Sequence, residues 1–310
     1  MSTVVVQPPA SSPAVAAKPP GRALGGLVGI LVAAMMAGLN NRVGALALAD
    51  VRGALGFSLD GASWLTTVYT AGELIAMPFA AWFAITLSMR RFELWMIGTC
   101  ALLALVMPFI QRLDLLLALR FVQGVASGTM IPLLMMAALK FLPVHIRLHG
   151  LALYALTATF APNVSIWLAG HWTDGLLDWR WVYWQIIPLA LIAGGLIAWG
   201  LPKDAIQTGR FRQANWVGLA LGAPALGLIA VALDQGVRLD WLNSPLIVVS
   251  LVAGFTLLGV YLLTEWYHPS PFIKLQLLER RNLGLNFTLF VFLLVVMSSG
   301  VMLPMHYLGP

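Results

Sequence analysis

The chain has 310 residues, 60% of them hydrophobic and only 10% charged, with a mean hydropathy of +0.88. A soluble domain carries about 25% charged residues, so this composition excludes a disordered chain and argues against a soluble enzyme. The formal net charge of +6 is no nucleic-acid signature, because the basic residues fall in short loops between long apolar runs.

In chain order, residues 1–22 are rich in Pro, Ala, Ser and Val and read as a flexible tail. Nine apolar runs follow, at about 25–48, 63–87, 93–111, 115–139, 148–170, 181–200, 215–233, 246–264 and 285–307. Each has roughly the 20 residues that a helix needs to cross the hydrocarbon core. None alternates as a membrane β-strand would. The first run is longer than a signal peptide's apolar core and leads into further spans, so it reads as a retained helix. The expected fold class is an all-α polytopic membrane protein with about nine transmembrane helices.

The loops give the orientation. With a cytoplasmic N-terminus, that side carries twelve Lys and Arg, from Lys18 to Arg281, against Arg52, Arg112, Arg180 and Arg238 on the other. The positive-inside rule therefore places the N-terminus in the cytoplasm. The basic loop 201–213 and the long loop 265–284 are the expected boundaries. They separate a six-helix bundle (23–200), two further helices (214–264) and a first helix of another unit (285–310).

Charged groups inside apolar runs are costly to bury and are functional candidates by default. Arg42 lies in the first run beside Asn40 and Asn41, with Asp50 two turns on. The alternative for Asp50 is a helix end with a snorkelling side chain. Glu73 is deeper, in Tyr69-Thr70-Ala71-Gly72-Glu73. A carboxylate there needs a partner, water or a proton, which suits a proton-coupling site; the alternative is a structural pair with Arg42 or Arg120. Arg120, always charged and with five donors, shares a helix face with Gln123 at i+3. Gly124, Ser127 and Gly128 put a thin face on the fourth run, and Pro162, Ser165 and Gly170 mark the fifth as a packing or gating helix. Trp179, Trp181, Tyr183 and Trp184 read as an interfacial belt. The single Cys100 sits in an apolar run and reads as core packing. His145 and His171 have no metal-like companions. HExxH, Walker A, GxGxxG and GxSxG patterns are absent from the sequence, so no cofactor, metal or enzymatic chemistry is expected.

The order of these pieces resembles the major facilitator superfamily, in particular its 14-helix drug:proton antiporter branch of multidrug exporters. Arg120-Phe121-Val122-Gln123-Gly124 resembles the family's R-x-x-Q-G motif. Trp179-Arg180-Trp181-Val182-Tyr183-Trp184-Gln185-Ile186-Ile187-Pro188 resembles its W-R-W-x-F-x-x-N-x-P signature. Leu233-Asp234-Gln235-Gly236 with Asp240-Trp241 resembles the segment after span seven, and Ser63-Trp64-Leu65-Thr66-Thr67-Val68-Tyr69 the start of span two. The departures are equally specific. Asn40 stands where the family's L-D-x-T has its acid. In the G-x-L-x-D-R-x-G-R-R loop the acid becomes Ile85 and the glycines become Ala81 and Ser88.

The resemblance implies secondary transport in a bacterial inner membrane, namely proton-coupled export of amphipathic or aromatic compounds by alternating access. Its implied partners are a small organic substrate, protons, the lipid bilayer and a periplasmic adaptor, with no nucleic acid. Asn40, Arg42, Asp50, Glu73, Arg120 and Gln123 would serve the substrate or proton pathway; Gly124, Gly128, Pro162, Ser165 and Gly170 would serve packing or gating. An organic-anion facilitator or proton-linked importer is one alternative. A non-transporting truncated scaffold is another, since fourteen helices would leave five beyond Pro310.

Overall fold

The computed structural model describes residues 20–142, 147–280, 282–293 and 296, with all their side chains except those of Pro20, Ala158, Thr159 and Pro162. The expected tail lies almost wholly outside the described residues, as does much of the ninth run. Every described element is helical. In chain order they are α1 (Pro20–Leu46), α2 (Leu48–Leu55), α3 (Leu59–Leu87), α4 (Met89–Val106), α5 (Leu113–Gly128), α6 (Met130–Phe141), α7 (Arg147–Gly170), α8 (Trp181–Trp184), α9 (Ile186–Gly200), α10 (Trp216–Gln235) and α11 (Pro245–Tyr267). A short apolar helix, α12, covers Asn282–Leu293. Among the described residues, seven helical runs are long and apolar enough to cross a membrane, and α7 adds a 24-residue helix over the fifth apolar run.

Two of the apolar runs are broken by their own prolines. Proline lacks an N–H and its ring clashes with the carbonyl four residues earlier. Pro132 acts in this way on Gly128, where α5 gives way to α6. Pro188 acts on Trp184, where α8 gives way to α9. At the first break the Thr129 hydroxyl donates back to the Ala126 carbonyl at 2.8 Å, a bond that bends helices.

α1 lies at the centre, packed against α9, α7 and α6, while α4 bridges α9 and α5. In their most apolar windows, α1 is 56% buried and the α5–α6 run 61%, against 28% for α10 and 22% for α11. The last two therefore form a peripheral pair leaning on α3. Bulky apolar side chains such as Leu191, Trp167, Val249 and Phe255 point outward, as a lipid-facing surface requires.

Small residues set the closest approaches. A Cβ on Gly124 would lie 2.2 Å from the Tyr69 carbonyl oxygen, and one on Gly128 2.4 Å from that of Glu73. A Cβ on Gly72 would meet the Phe121 carbonyl at 2.6 Å. The backbones of α3 and α5 thus touch, as small-residue faces allow in membranes.

α10 is tied to α3 at both ends. At one end the Arg238 guanidinium meets the Asp60 carboxylate at 2.7 Å. There Thr67 donates to Asp234 and accepts from Gln235. Two of the motifs quoted above, around Thr67 and Asp234-Gln235, therefore meet in space. At the other end Trp82 makes edge contacts with Phe211, Trp216 and Phe272, and the Arg210 guanidinium sits 5.7 Å from its ring centroid.

The turn from α3 to α4 is a single residue, Ser88, at φ 73°. This is the position where the resembling motif has glycine, and the backbone shows why: a side chain at positive φ is strained. The Ser88 hydroxyl is also buried without a hydrogen-bond partner.

Thermal unfolding in detergent can be followed by the exposure of Cys100, which is free and buried. Ser88→Gly is expected to raise the midpoint, gaining about 1 kcal/mol from relieved backbone strain after the entropy cost of glycine. Gly124→Ala is expected to lower it by about 1–3 kcal/mol through overpacking. Gly98→Ala, where a Cβ meets nothing within 4 Å, serves as the control for added volume. It is expected not to lower the midpoint and to raise it by up to about 1 kcal/mol through alanine's helix propensity.

Candidate functional site

The polar residues of α1, α3 and α5 converge on one buried chain of hydrogen bonds. On α3, Tyr69 and Glu73 are four residues apart and share a face. On α5, Arg120, Gln123 and Ser127 do the same. The glycine contact between the two helices brings those faces together. Tyr69, Gln123 and Ser127 are buried to 1% exposure or less, and Glu73 to 7%.

The donors run in one direction. The Asn40 amide donates to the Tyr69 hydroxyl at 3.1 Å. Tyr69 donates to the Ser127 hydroxyl at 2.6 Å. Ser127 donates to Glu73 Oε1 at 3.3 Å. The second carboxylate oxygen, Oε2, accepts from the Asn41 amide at 2.6 Å. Both oxygens of Glu73 are thus satisfied by neutral donors, as a buried carboxylate needs.

Arg120 anchors the other end. Its Nη1 donates to Gln123 Oε1 at 2.8 Å and to Asn40 Oδ1 at 3.5 Å. The guanidinium carbon lies 4.3 Å from the Tyr69 ring centroid and 5.8 Å from that of Tyr183, a cation–π arrangement. Gln123 in turn donates to the Cys100 carbonyl at 3.3 Å. Gly44 leaves room for the guanidinium, since a Cβ there would lie 2.8 Å from Nη2.

The alternative for Glu73, a structural pair with Arg42 or Arg120, does not form. Among the described residues the ion pairs are Lys140–Asp204 and Arg238–Asp60. Glu73 and Arg120 belong to the same network but are separated by Tyr69 and Ser127.

Glu73 also borders a cavity of about 220 Å³, lined by Arg42, Asn41, Gly38 and Ala34 of α1, Ile131 of α6, and Tyr154, Thr157 and Ala161 of α7. Arg42 is exposed into this space. The cavity therefore presents one cation, one carboxyl edge, two hydroxyl side chains and an apolar wall. Such a mix can hold an organic molecule by one polar contact and a hydrophobic body.

The remaining sequence candidates are dispersed. Asp50 is exposed in the first turn of α2 and does not line the cavity. Gly124 and Gly128 serve the α3–α5 contact. Ser165 is buried on α7. Gly170 closes α7, and the nearest atom a Cβ would meet there is 3.8 Å away, so no close helix contact depends on it. The side chain of Pro162 lies outside the described residues. Tyr183, expected in an interfacial belt, is 3% exposed and turned toward Arg120.

Sequence reading passed over Asn41, Tyr69, Ser127, Tyr154 and Thr157 as site residues. The first three carried a usable signal. Tyr69 and Ser127 stand four residues from Glu73 and Gln123, and Asn41 adjoins Arg42. Tyr154 and Thr157 had no distinguishing pattern in an apolar run.

Comparison with known proteins agrees with this architecture. The chain is 26% identical over 255 residues to the multidrug export protein EmrB of Escherichia coli K12, covering 82% of this chain and 49% of the relative. It is 28% identical over 255 residues to the probable multidrug resistance protein EmrY of the same strain, with the same coverages of 82% and 49%. It is 25% identical over 251 residues to the fatty acid resistance protein FarB of Neisseria gonorrhoeae, covering 81% of this chain and 49% of the relative. The chain thus spans about half the length of these curated relatives. A family profile matches residues 30–309, nearly the whole sequence, and the chain belongs to the Major Facilitator Superfamily.

Proposed function

We propose that this chain serves secondary active export of amphipathic organic compounds across a bacterial inner membrane, driven by proton entry. The observation that carries the reading is Glu73. It is a membrane-buried carboxyl with its hydrogen bonds made by Asn41 and Ser127, set at the edge of a cavity that also exposes Arg42. A proton arriving at Glu73 removes the charge that these donors hold in place. The donors can then rearrange, and the cavity changes its affinity for an organic ligand. Alternating access needs such a difference between two states.

In this reading Glu73 takes the coupling role that the resemblance would give to an acid at Asn40. Arg120, Gln123 and Asn40 hold Tyr69 and the proton path in place. Residues 23–200 form the first bundle and 214–264 the two inserted helices. The N-terminus is cytoplasmic, as the distribution of Lys and Arg supports. The partners proposed with it are a small organic substrate, protons, the bilayer and a periplasmic adaptor.

One observation favours a second reading of the substrate. Arg120 is buried and held by Gln123, Asn40 and the Tyr69 ring, whereas Arg42 is exposed and lines the cavity. An organic anion with an apolar body would match that single available cation. The name of the fatty acid resistance relative points the same way.

Proteoliposomes with an imposed pH gradient test both readings. Glu73→Gln is expected to abolish gradient-driven flux of a fluorescent amphipathic substrate while leaving exchange at equal pH. Equal gradient-driven flux in wild type and variant would overturn the coupling role, and flux in neither would overturn transport by this chain. Arg42→Gln is expected to weaken transport of an amphipathic carboxylate about tenfold to hundredfold relative to its neutral amide, the loss of one charge-assisted hydrogen bond. An unchanged ratio would remove the anion reading.

A further inference from the structure

A second carboxyl group lies inside the helix bundle, and the network around Glu73 does not use it. Glu93 is in the second turn of α4 and is 0% exposed. Neither of its side-chain oxygens has a hydrogen-bond partner. It shares a face of α4 with Ile97, Cys100 and Ala104, at spacings of four, seven and eleven residues. That face packs into a core built by Ala126, Met130 and Leu134 of the α5–α6 run together with Ala190, Ala193 and Ile197 of α9.

The ionisable groups on the elements packed against α4 are accounted for, beginning with Asp60 of α3, which pairs with Arg238. On α3, Glu73 bonds to Asn41, and Tyr69 to Ser127. On α5, Arg120 is held by Gln123, and Asp114 is exposed in the first turn. On α6, Lys140 pairs with Asp204. On α8, Tyr183 lies beneath Arg120. On α4 itself, Arg90 donates to the Leu201 carbonyl, Arg91 is exposed, and the Cys100 thiol donates to the Gln123 carbonyl. None of them bonds to Glu93.

A bare carboxylate in this setting would keep its desolvation cost with no compensating contact, whereas the neutral acid carries far less of it. A metal cation is the other possible occupant, but it needs several oxygen ligands at once. Among the described residues no group of three His, Cys, Asp or Glu side chains converges. The ligand that fits is a single proton.

We propose that Glu93 is a second proton-binding site, separate from Glu73 and from the cavity beside it. In the conformation seen here it holds its proton as the neutral acid. Release requires a rearrangement of α4 against α5–α6 or α9 that admits water or a donor to the carboxyl. Protonation of Glu93 therefore reports the packing of this half of the bundle, whatever Glu73 does.

Infrared spectroscopy of the protein in liposomes at neutral pH tests this through the carbonyl stretch of protonated carboxyl groups. The expected result is a component present in wild type, absent from Glu93→Gln and retained in Glu73→Gln. Glu93→Asp keeps an acid in place and is expected to shift that component rather than remove it, which covers the case in which the Gln variant fails to fold. Protection of Cys100 from a thiol dye reads folding in each variant. A step to alkaline pH is expected to release one proton fewer per chain from Glu93→Gln than from wild type. A component unchanged in both Glu93 variants, or a loss from the ionised carboxylate bands instead, would overturn the proposal. Loss of the component in Glu73→Gln alone would assign it to Glu73 and would likewise overturn it.

Discussion

The hydrocarbon core of a bilayer offers nothing to hydrogen-bond with, so a charge carried into it must find its partners on neighbouring helices. In this chain that requirement is met by the contact between α3 and α5. Three glycines let the two backbones touch, and only at that separation can Tyr69 reach Ser127, and Ser127 reach Glu73. Two asparagines of α1 close the arrangement from a third side. The buried arginine and the buried glutamate are stabilised in one network without forming an ion pair. Each keeps hydrogen bonds to neutral groups, so protonating the acid need not strand the base.

The departures from the family pattern look different in this light. Asn40 stands where the resemblance calls for an acid, yet the region still holds a carboxyl group. It sits on α3 instead, at Glu73, and is met by Asn41, the neighbour of the substituted position. The single-residue turn at Ser88 is the contrary case. There the family's glycine answers a backbone need that this chain still has, and the serine meets it under strain.

Much of the fold was legible because its signals are local. Apolar runs of the right length gave the bounds of the helices over the first eight runs to within a few residues, seven of them long and apolar enough to cross a membrane. Arg120, Gln123 and Glu73 could be chosen because charge and polarity are rare in such runs. What stayed hidden was which helix meets which. Nothing in the sequence says that Tyr69 lies against Ser127, or that Asp234 and Gln235 close on Thr67 from far along the chain. Glu93 escaped notice because it sits at the margin of its apolar run, where an acid ordinarily faces the headgroups. Its full burial is a property of α4's rotation, which local pattern does not encode. Tyr183 was misplaced for the same reason: aromatic residues near a span's start usually mark the interface, and this one is turned into the core.

The double fastening of α10 to α3 has a mechanical meaning. An ion pair and a shared threonine hold one end, and a cluster of aromatic rings with Arg210 above it holds the other. A helix pinned near both extremities cannot swing about either. α10, and α11 packed on it, are therefore ballast on the bundle that contains Glu73 rather than a hinge beside it. A rocking motion of that bundle would carry the pair along, together with the start of the following loop, where Phe272 packs on Phe79 and Trp82 of α3.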